Sequence, residues 1–131
     1  MSLAGQWIEE AKSKLKDPGL VYFYHGGGRN RNTKTLAANS IVVTTYKTLA
    51  SDGTYHANRS GLGAEYAAPC EQVRWWRIIC DESHSIRNRG GKSAAVLELV
   101  ADNKWLVSGK SYWGLNVRSL LLYHHLPYIC L

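Results

Sequence analysis

The stretch from Arg77 to His84, reading Arg-Ile-Ile-Cys-Asp-Glu-Ser-His, restricts the possible folds more than any other in the sequence. Its short apolar, β-branched run predicts a buried strand, because strands covered on both faces read as continuous hydrophobic runs. Two adjacent carboxylates and a histidine follow at once. In open α/β sheets ligands collect just beyond the carboxyl ends of the strands, so Asp81, Glu82 and His84 are expected where chemistry would occur. Phosphoryl transfer gives two such acids separate tasks: the first associates with Mg²⁺, and the next orients or deprotonates the attacking water. Asp81 and Glu82 fit those tasks in order. Asp-Glu after a strand equally caps a helix or faces solvent, since acids are common at helix starts, and this stretch alone leaves both readings open.

The rest of the chain alternates helical and extended patterns. From Gly5 to Lys16 a helix is predicted, with Trp7, Ile8, Ala11 and Leu15 on one stripe, Glu10 and Lys14 at a favourable i,i+4 spacing, and Pro18-Gly19 as the stop. Leu20 to Tyr24 reads as a strand that breaks at His25-Gly26-Gly27-Gly28-Arg29. The glycines there complete neither G-x-G-x-x-G nor G-x-x-x-x-G-K-[ST], so a turn is expected, with Arg29, Arg31 and Lys34 on a solvated basic face. Ser40 to Thr45 is a second strand, apolar enough to be central and parallel. Thr44 and Thr45 either finish that strand and cap the next helix or offer hydroxyls to phosphate oxygens. Ser51 to Gln72 carries Asp52-Gly53, Ser60-Gly61, Gly63 and Pro69 with little periodicity, and is expected to be a long loop. A short helix over Ser93 to Val100 and a strand over Lys104 to Ser108 follow. Strands alternating with helices indicate an α/β layered domain with a mainly parallel sheet.

Bulk properties narrow the options further. The 131 residues suit one domain, and 45% hydrophobic with 20% charged residues argues against wholesale disorder. A formal charge of +6 suits an anionic partner without specifying one. Cys70, Cys80 and Cys130 are odd in number and contain no Cys-x-x-Cys pair, against both a disulfide framework and a zinc site. No secretory signal precedes Glu9 and Glu10, so the Asn58-Arg59-Ser60 acceptor pattern has no glycosylation meaning. The apolar stretch from Leu120 to Leu131 is interrupted by His124, His125 and Pro127 and falls short of the roughly 20 residues of a spanning helix.

In combination, several segments resemble the SNF2 family of ATP-dependent DNA translocases and helicase-like ATPases, on its helicase-like transcription factor and DNA-repair branch. Asp81-Glu82-Ser83-His84 is similar to the family's DEAH-type box, with serine in the third place. Trp75-Trp76-Arg77 before it and Ile86-Arg87-Asn88 after it also resemble the family. Thr44-Thr45-Tyr46-Lys47-Thr48-Leu49 looks like its "TTY-x-T-L" segment, and Ser2-Leu3 through Glu10 like the end of motif Ia and the helix that follows. The resemblance covers about residues 1–109 and implies an incomplete RecA-like domain of the P-loop NTPase type, part of the N-terminal ATPase lobe. It implies Asp81 as the Mg²⁺-associated acid, Glu82 as the water-orienting base and His84 as a link between nucleotide and motor segments. Thr45, Tyr46 and Lys47 would contact the DNA backbone. ATP and Mg²⁺ would be the cofactors, duplex DNA or the remainder of the ATPase the partner, and the nucleus the compartment.

The pattern departs from the family after the fourth predicted strand. Ser108 and Gly109 match, whereas Lys110, Ser111, Tyr112 and Trp113 do not, and residues 110–131 are poorly matched. Gly109-Lys110-Ser111 mimics the end of a Walker A loop, but the first glycine that motif requires would fall at Lys104. Without a phosphate loop, hydrolysis by this chain alone is not expected. A second expectation is therefore a non-catalytic basic module that binds DNA or a protein. A third, an unrelated small α/β enzyme, would need His25, Asp81, Glu82 and His84 in one pocket.

Overall fold

A computed structural model describes residues 3–59, 67–86, 90–107 and 128–131. The described chain runs α1 (Leu3–Lys14), β1 (Val21–Phe23), α2 (Thr33–Ala38), β2 (Ile41–Val43), α3 (Tyr46–Arg59), β3 (Trp75–Cys80), α4 (Gly91–Leu97), β4 (Ala101–Leu106) and β5 (Tyr128–Cys130). The five strands form one sheet in the order β1-β2-β5-β3-β4, and every pairing is parallel. The α/β class and the parallel sheet agree with the sequence reading.

Local chemistry explains most boundaries. The Asp17 carboxylate accepts from the Gly19 amide at 2.9 Å and Pro18 opens a 3₁₀ turn, which ends the α1 approach and delivers the chain to β1. Asn32 caps α2 by accepting from the Lys34 and Thr35 amides. β3 is buried at Trp75, Trp76, Ile78 and Cys80, as its apolar run requires. The Trp75 indole would be an orphan donor there, and it is satisfied by the Cys70 carbonyl at 2.9 Å. Tyr24, Leu36, Val42, Ile78, Leu99 and Ile129 complete a contiguous core at or near zero exposure. Cys70, Cys80 and Cys130 are free thiols in that core. No helix among the described residues is long and apolar enough to cross a membrane.

Two expectations need correction. The segment from Ser51 onward is not a loop throughout: α3 continues through Asp52-Gly53 to Arg59. The turn signal is overridden because Asp52 is 1% exposed and engaged by tertiary partners, so its side chain does not compete for the local backbone. The Arg29 side chain, expected on a solvated face, is only 7% exposed and pairs with Asp52. Residues 128–130, to which the sequence reading assigned no element, form a strand in the middle of the sheet, between β2 and β3. Arg87, Asn88 and Arg89, the segment 108–113, His124, His125 and Ser60 lie outside the described residues.

Candidate functional site

The site is assembled at the carboxyl ends of β2, β5 and β3. The Thr44 amide donates to Cys130 O at 2.8 Å, Leu131 N to Ile79 O at 2.9 Å, and Asp81 N to Leu131 O at 3.0 Å. Those bonds extend the ladders beyond the strands and bring Thr44–Lys47 and Asp81–His84 to one edge, separated by β5. A cavity of about 480 Å³ opens there. Ala4 and Trp7 of α1, Val43 to Tyr46, Asp81, Glu82, His84, Ser85, Cys130 and Leu131 line it. Of the residues singled out from sequence, Thr45, Tyr46, Asp81, Glu82 and His84 share this cavity. Lys47 is exposed on the first turn of α3, and His25 lies elsewhere, its ring stacked on Phe23.

Asp81 is held by its surroundings on three sides. Its Oδ1 accepts from the Glu82 amide at 2.8 Å and its Oδ2 from the Trp7 indole at 2.9 Å. The Tyr46 hydroxyl donates to the Asp81 carbonyl at 2.6 Å. Burial pushes the Tyr46 phenol well above its ordinary range, with the neighbouring Cys80, Asp81 and Glu82 adding to the rise. It therefore stays a protonated donor. A carboxylate has about four acceptor positions, so the two internal bonds orient Asp81 without exhausting it.

Glu82 adopts φ +46° and is the one non-glycine residue at positive φ among those described. A non-glycine residue in the left-handed region costs on the order of 1 kcal/mol. The turn is fixed by its flanks: Ser83 N bonds Val107 O at 3.0 Å and Ser85 N bonds Glu82 O at 2.9 Å. The Glu82 carboxylate lies 3.0 Å from His84 Nδ1, and both side chains remain substantially exposed. Such a surface pair contributes little to stability; its effect is to orient the acid.

Thr44 and Thr45 are used structurally. Thr44 Oγ1 donates to the Tyr24 carbonyl at 2.7 Å. Thr45 Oγ1 accepts from the Thr48 amide at 3.2 Å, an N-cap for α3, and lies 2.9 Å from Thr48 Oγ1. That hydroxyl is in turn 3.0 Å from His25 Nδ1. Burial raises the Cys80 and Cys130 thiols to about 11, so both stay neutral and unsuited to attack. Among the described residues no group of three or more His, Cys, Asp and Glu converges on a metal site. Mg²⁺ commonly takes one or two carboxylates together with phosphate oxygens.

Sequence reasoning missed Trp7 as an Asp81 partner and Asp52 as the anchor of the 25–31 loop. Trp7 belongs to the apolar stripe of α1, where its indole nitrogen carries no positional signal. Asp52 accepts from Tyr24 at 2.6 Å and from Arg31 at 3.3 Å, and also pairs with Arg29.

The SNF2-related domain family matches residues 1–110. The chain is 36% identical over 113 residues to DNA repair protein RAD5A of Arabidopsis thaliana, covering 83% of this chain and 10% of that protein. It is 30% identical over 125 residues to helicase-like transcription factor of Homo sapiens, covering 88% and 12%. It is 36% identical over 110 residues to transcription termination factor 2 of Drosophila melanogaster, covering 82% and 9%. The chain thus spans about a tenth of the length of these relatives. No solved structure matches it.

Proposed function

This chain belongs to the SNF2-related domain family, and from that membership we propose that it forms part of the nucleotide-hydrolysing lobe of a nuclear, ATP-dependent DNA translocase. The observation that carries the reading is the meeting of the Asp81-Glu82-Ser83-His84 turn and the Thr44–Lys47 segment around one cavity at the carboxyl edge of a parallel sheet. ATP with Mg²⁺ would supply the phosphoryl group and neutralise its charge. Asp81, oriented by Trp7 and the Glu82 amide, would hold the ion through its remaining acceptor positions. Glu82, oriented by His84, would accept a proton from water. Thr45 and Lys47, at the start of α3, would meet phosphate oxygens, which need donors and positive charge but no base reading. Tyr46 would border that contact. The 131 residues contain no complete G-x-x-x-x-G-K-[ST] loop, so turnover requires phosphate-binding groups from outside this sequence.

The +6 charge, with no complete G-x-x-x-x-G-K-[ST] loop in these residues, supports a second reading, a basic DNA-binding module that performs no hydrolysis. Measuring DNA-stimulated phosphate release from a protein in which this sequence is joined to a phosphate-binding G-x-x-x-x-G-K-[ST] loop and a second lobe separates the two. Release that Glu82→Gln abolishes supports the ATPase reading, and no release from that protein while DNA still binds supports the module. In either reading DNA affinity must fall steeply as salt rises, because phosphate contacts release counterions. Salt-independent binding defeats the assignment of Thr45 and Lys47.

A further inference from the structure

We infer that Tyr46 is a positioning residue that couples the nucleic-acid-facing start of α3 to the acidic turn, through its hydrogen bond to the Asp81 carbonyl. The inference rests on the reading of Thr45 and Lys47 as DNA contacts. Tyr46 lies between those residues in sequence, on the first turn of α3. Its hydroxyl nevertheless reaches across β5 to the backbone of the turn, 35 residues away in sequence, at 2.6 Å. A tyrosine at this place therefore does more than fill the cavity wall. It fixes the distance between the helix start and the main chain that carries Asp81 and Glu82.

The receiving side is suited to respond. Asp81 carries three of the turn's connections: its carbonyl to Tyr46, its Oδ1 to the Glu82 amide, and its Oδ2 to Trp7 of α1. The next residue, Glu82, sits at positive φ, a conformation that a non-glycine residue keeps only while its surroundings impose it. A small displacement of the Tyr46 hydroxyl therefore acts on a turn whose backbone is held at positive φ by its contacts, and contiguous hydrogen bonds of this kind can carry coupling between two sites. Coupling of this sort is reciprocal. A ligand at Lys47 must alter Glu82, and a change at Glu82 must alter Lys47. Neighbouring Thr45 cannot substitute, because its hydroxyl is engaged by the Thr48 amide and hydroxyl in the cap of α3.

The test uses the isotopically labelled chain and a short DNA duplex, read by backbone amide and indole resonances at saturating DNA, so that any change in affinity does not enter. The parent chain should show shifts at Thr45 to Lys47 and also at the Glu82 amide and the Trp7 indole. Tyr46→Phe retains the ring and loses only the donor. It should keep the shifts at Thr45 and Lys47 and lose those at Glu82 and Trp7. A Glu82 response that persists in Tyr46→Phe, or is absent from the parent while Lys47 responds, overturns the coupling alone. No response anywhere overturns the DNA assignment instead, and the reciprocal measurement then decides the coupling without DNA. Glu82→Gln should shift the Lys47 amide when Tyr46 is present and not in Tyr46→Phe. If Tyr46→Phe fails to fold, the absence of a Lys47 shift in Glu82→Gln alone still refutes the coupling.

Discussion

At the scale of single residues, Asp52 shows how a buried charge is made tolerable. Burial by itself would raise its carboxyl, yet hydrogen bonds from Arg29 and Tyr24, the Arg29 charge and the Arg31 bond outweigh that and hold it below the ordinary range. Asp52→Ala leaves Arg29 buried without its counter-ion and should cost about 3 kcal/mol, read by chemical denaturation. The sign of the pH dependence follows. A carboxyl depressed in the folded state contributes its full stability above its unfolded value of about 4, and loses it as pH falls through the lower folded value. Stability should therefore decline below about pH 4 in the parent chain. In Asp52→Asn that decline should be flatter and start from a lower neutral-pH value. The same network explains why a basic-looking loop is partly interior: Arg29 also stacks over the Tyr24 ring, 5.3 Å from its centroid, and bonds the Gly26 carbonyl.

At the scale of elements, α3 is stabilised at its start and weakened in its middle. The Thr45 cap satisfies one of the helix's unpaired amides, and Thr45→Ala should cost about 1 kcal/mol of stability in the absence of DNA, read by chemical denaturation. Gly53 lies inside the helix, and an added Cβ there meets nothing within 4 Å. Gly53→Ala should therefore stabilise the protein by about 0.5–1 kcal/mol, seen as a higher melting temperature. A fall in melting temperature would mean that α3 does not pass through Gly53. The two substitutions act on one helix with opposite sign, so together they report whether the helix start or its interior limits local stability.

At the scale of the whole molecule, the sheet depends on its middle strand. Among the described residues, the β1–β2 and β3–β4 pairs share no ladder with each other, and within the sheet they are joined through β5. A two-stranded pair is marginal by itself, so Ile129, fully buried in that strand, should be a sensitive position. Ile129→Ala should cost about 3 kcal/mol, and deletion of residues 128–131 should abolish cooperative unfolding, which calorimetry would detect. The sequence by itself determined β1 to β4 within a few residues, the α/β class, the SNF2 resemblance and the acids at the end of β3. Those features rest on local signals: apolar runs, glycine and proline stops, and a motif in consecutive residues. Only the tertiary structure decided that α3 runs through Asp52-Gly53, that Arg29 is interior, that residues 128–130 pair between β2 and β3, and that Trp7 and Tyr46 hold Asp81. Each of these depends on a partner more than 20 positions away in sequence. A hydrogen bond or ion pair over that span leaves no periodicity in the chain, because its energy is gained only after the fold brings the two groups together.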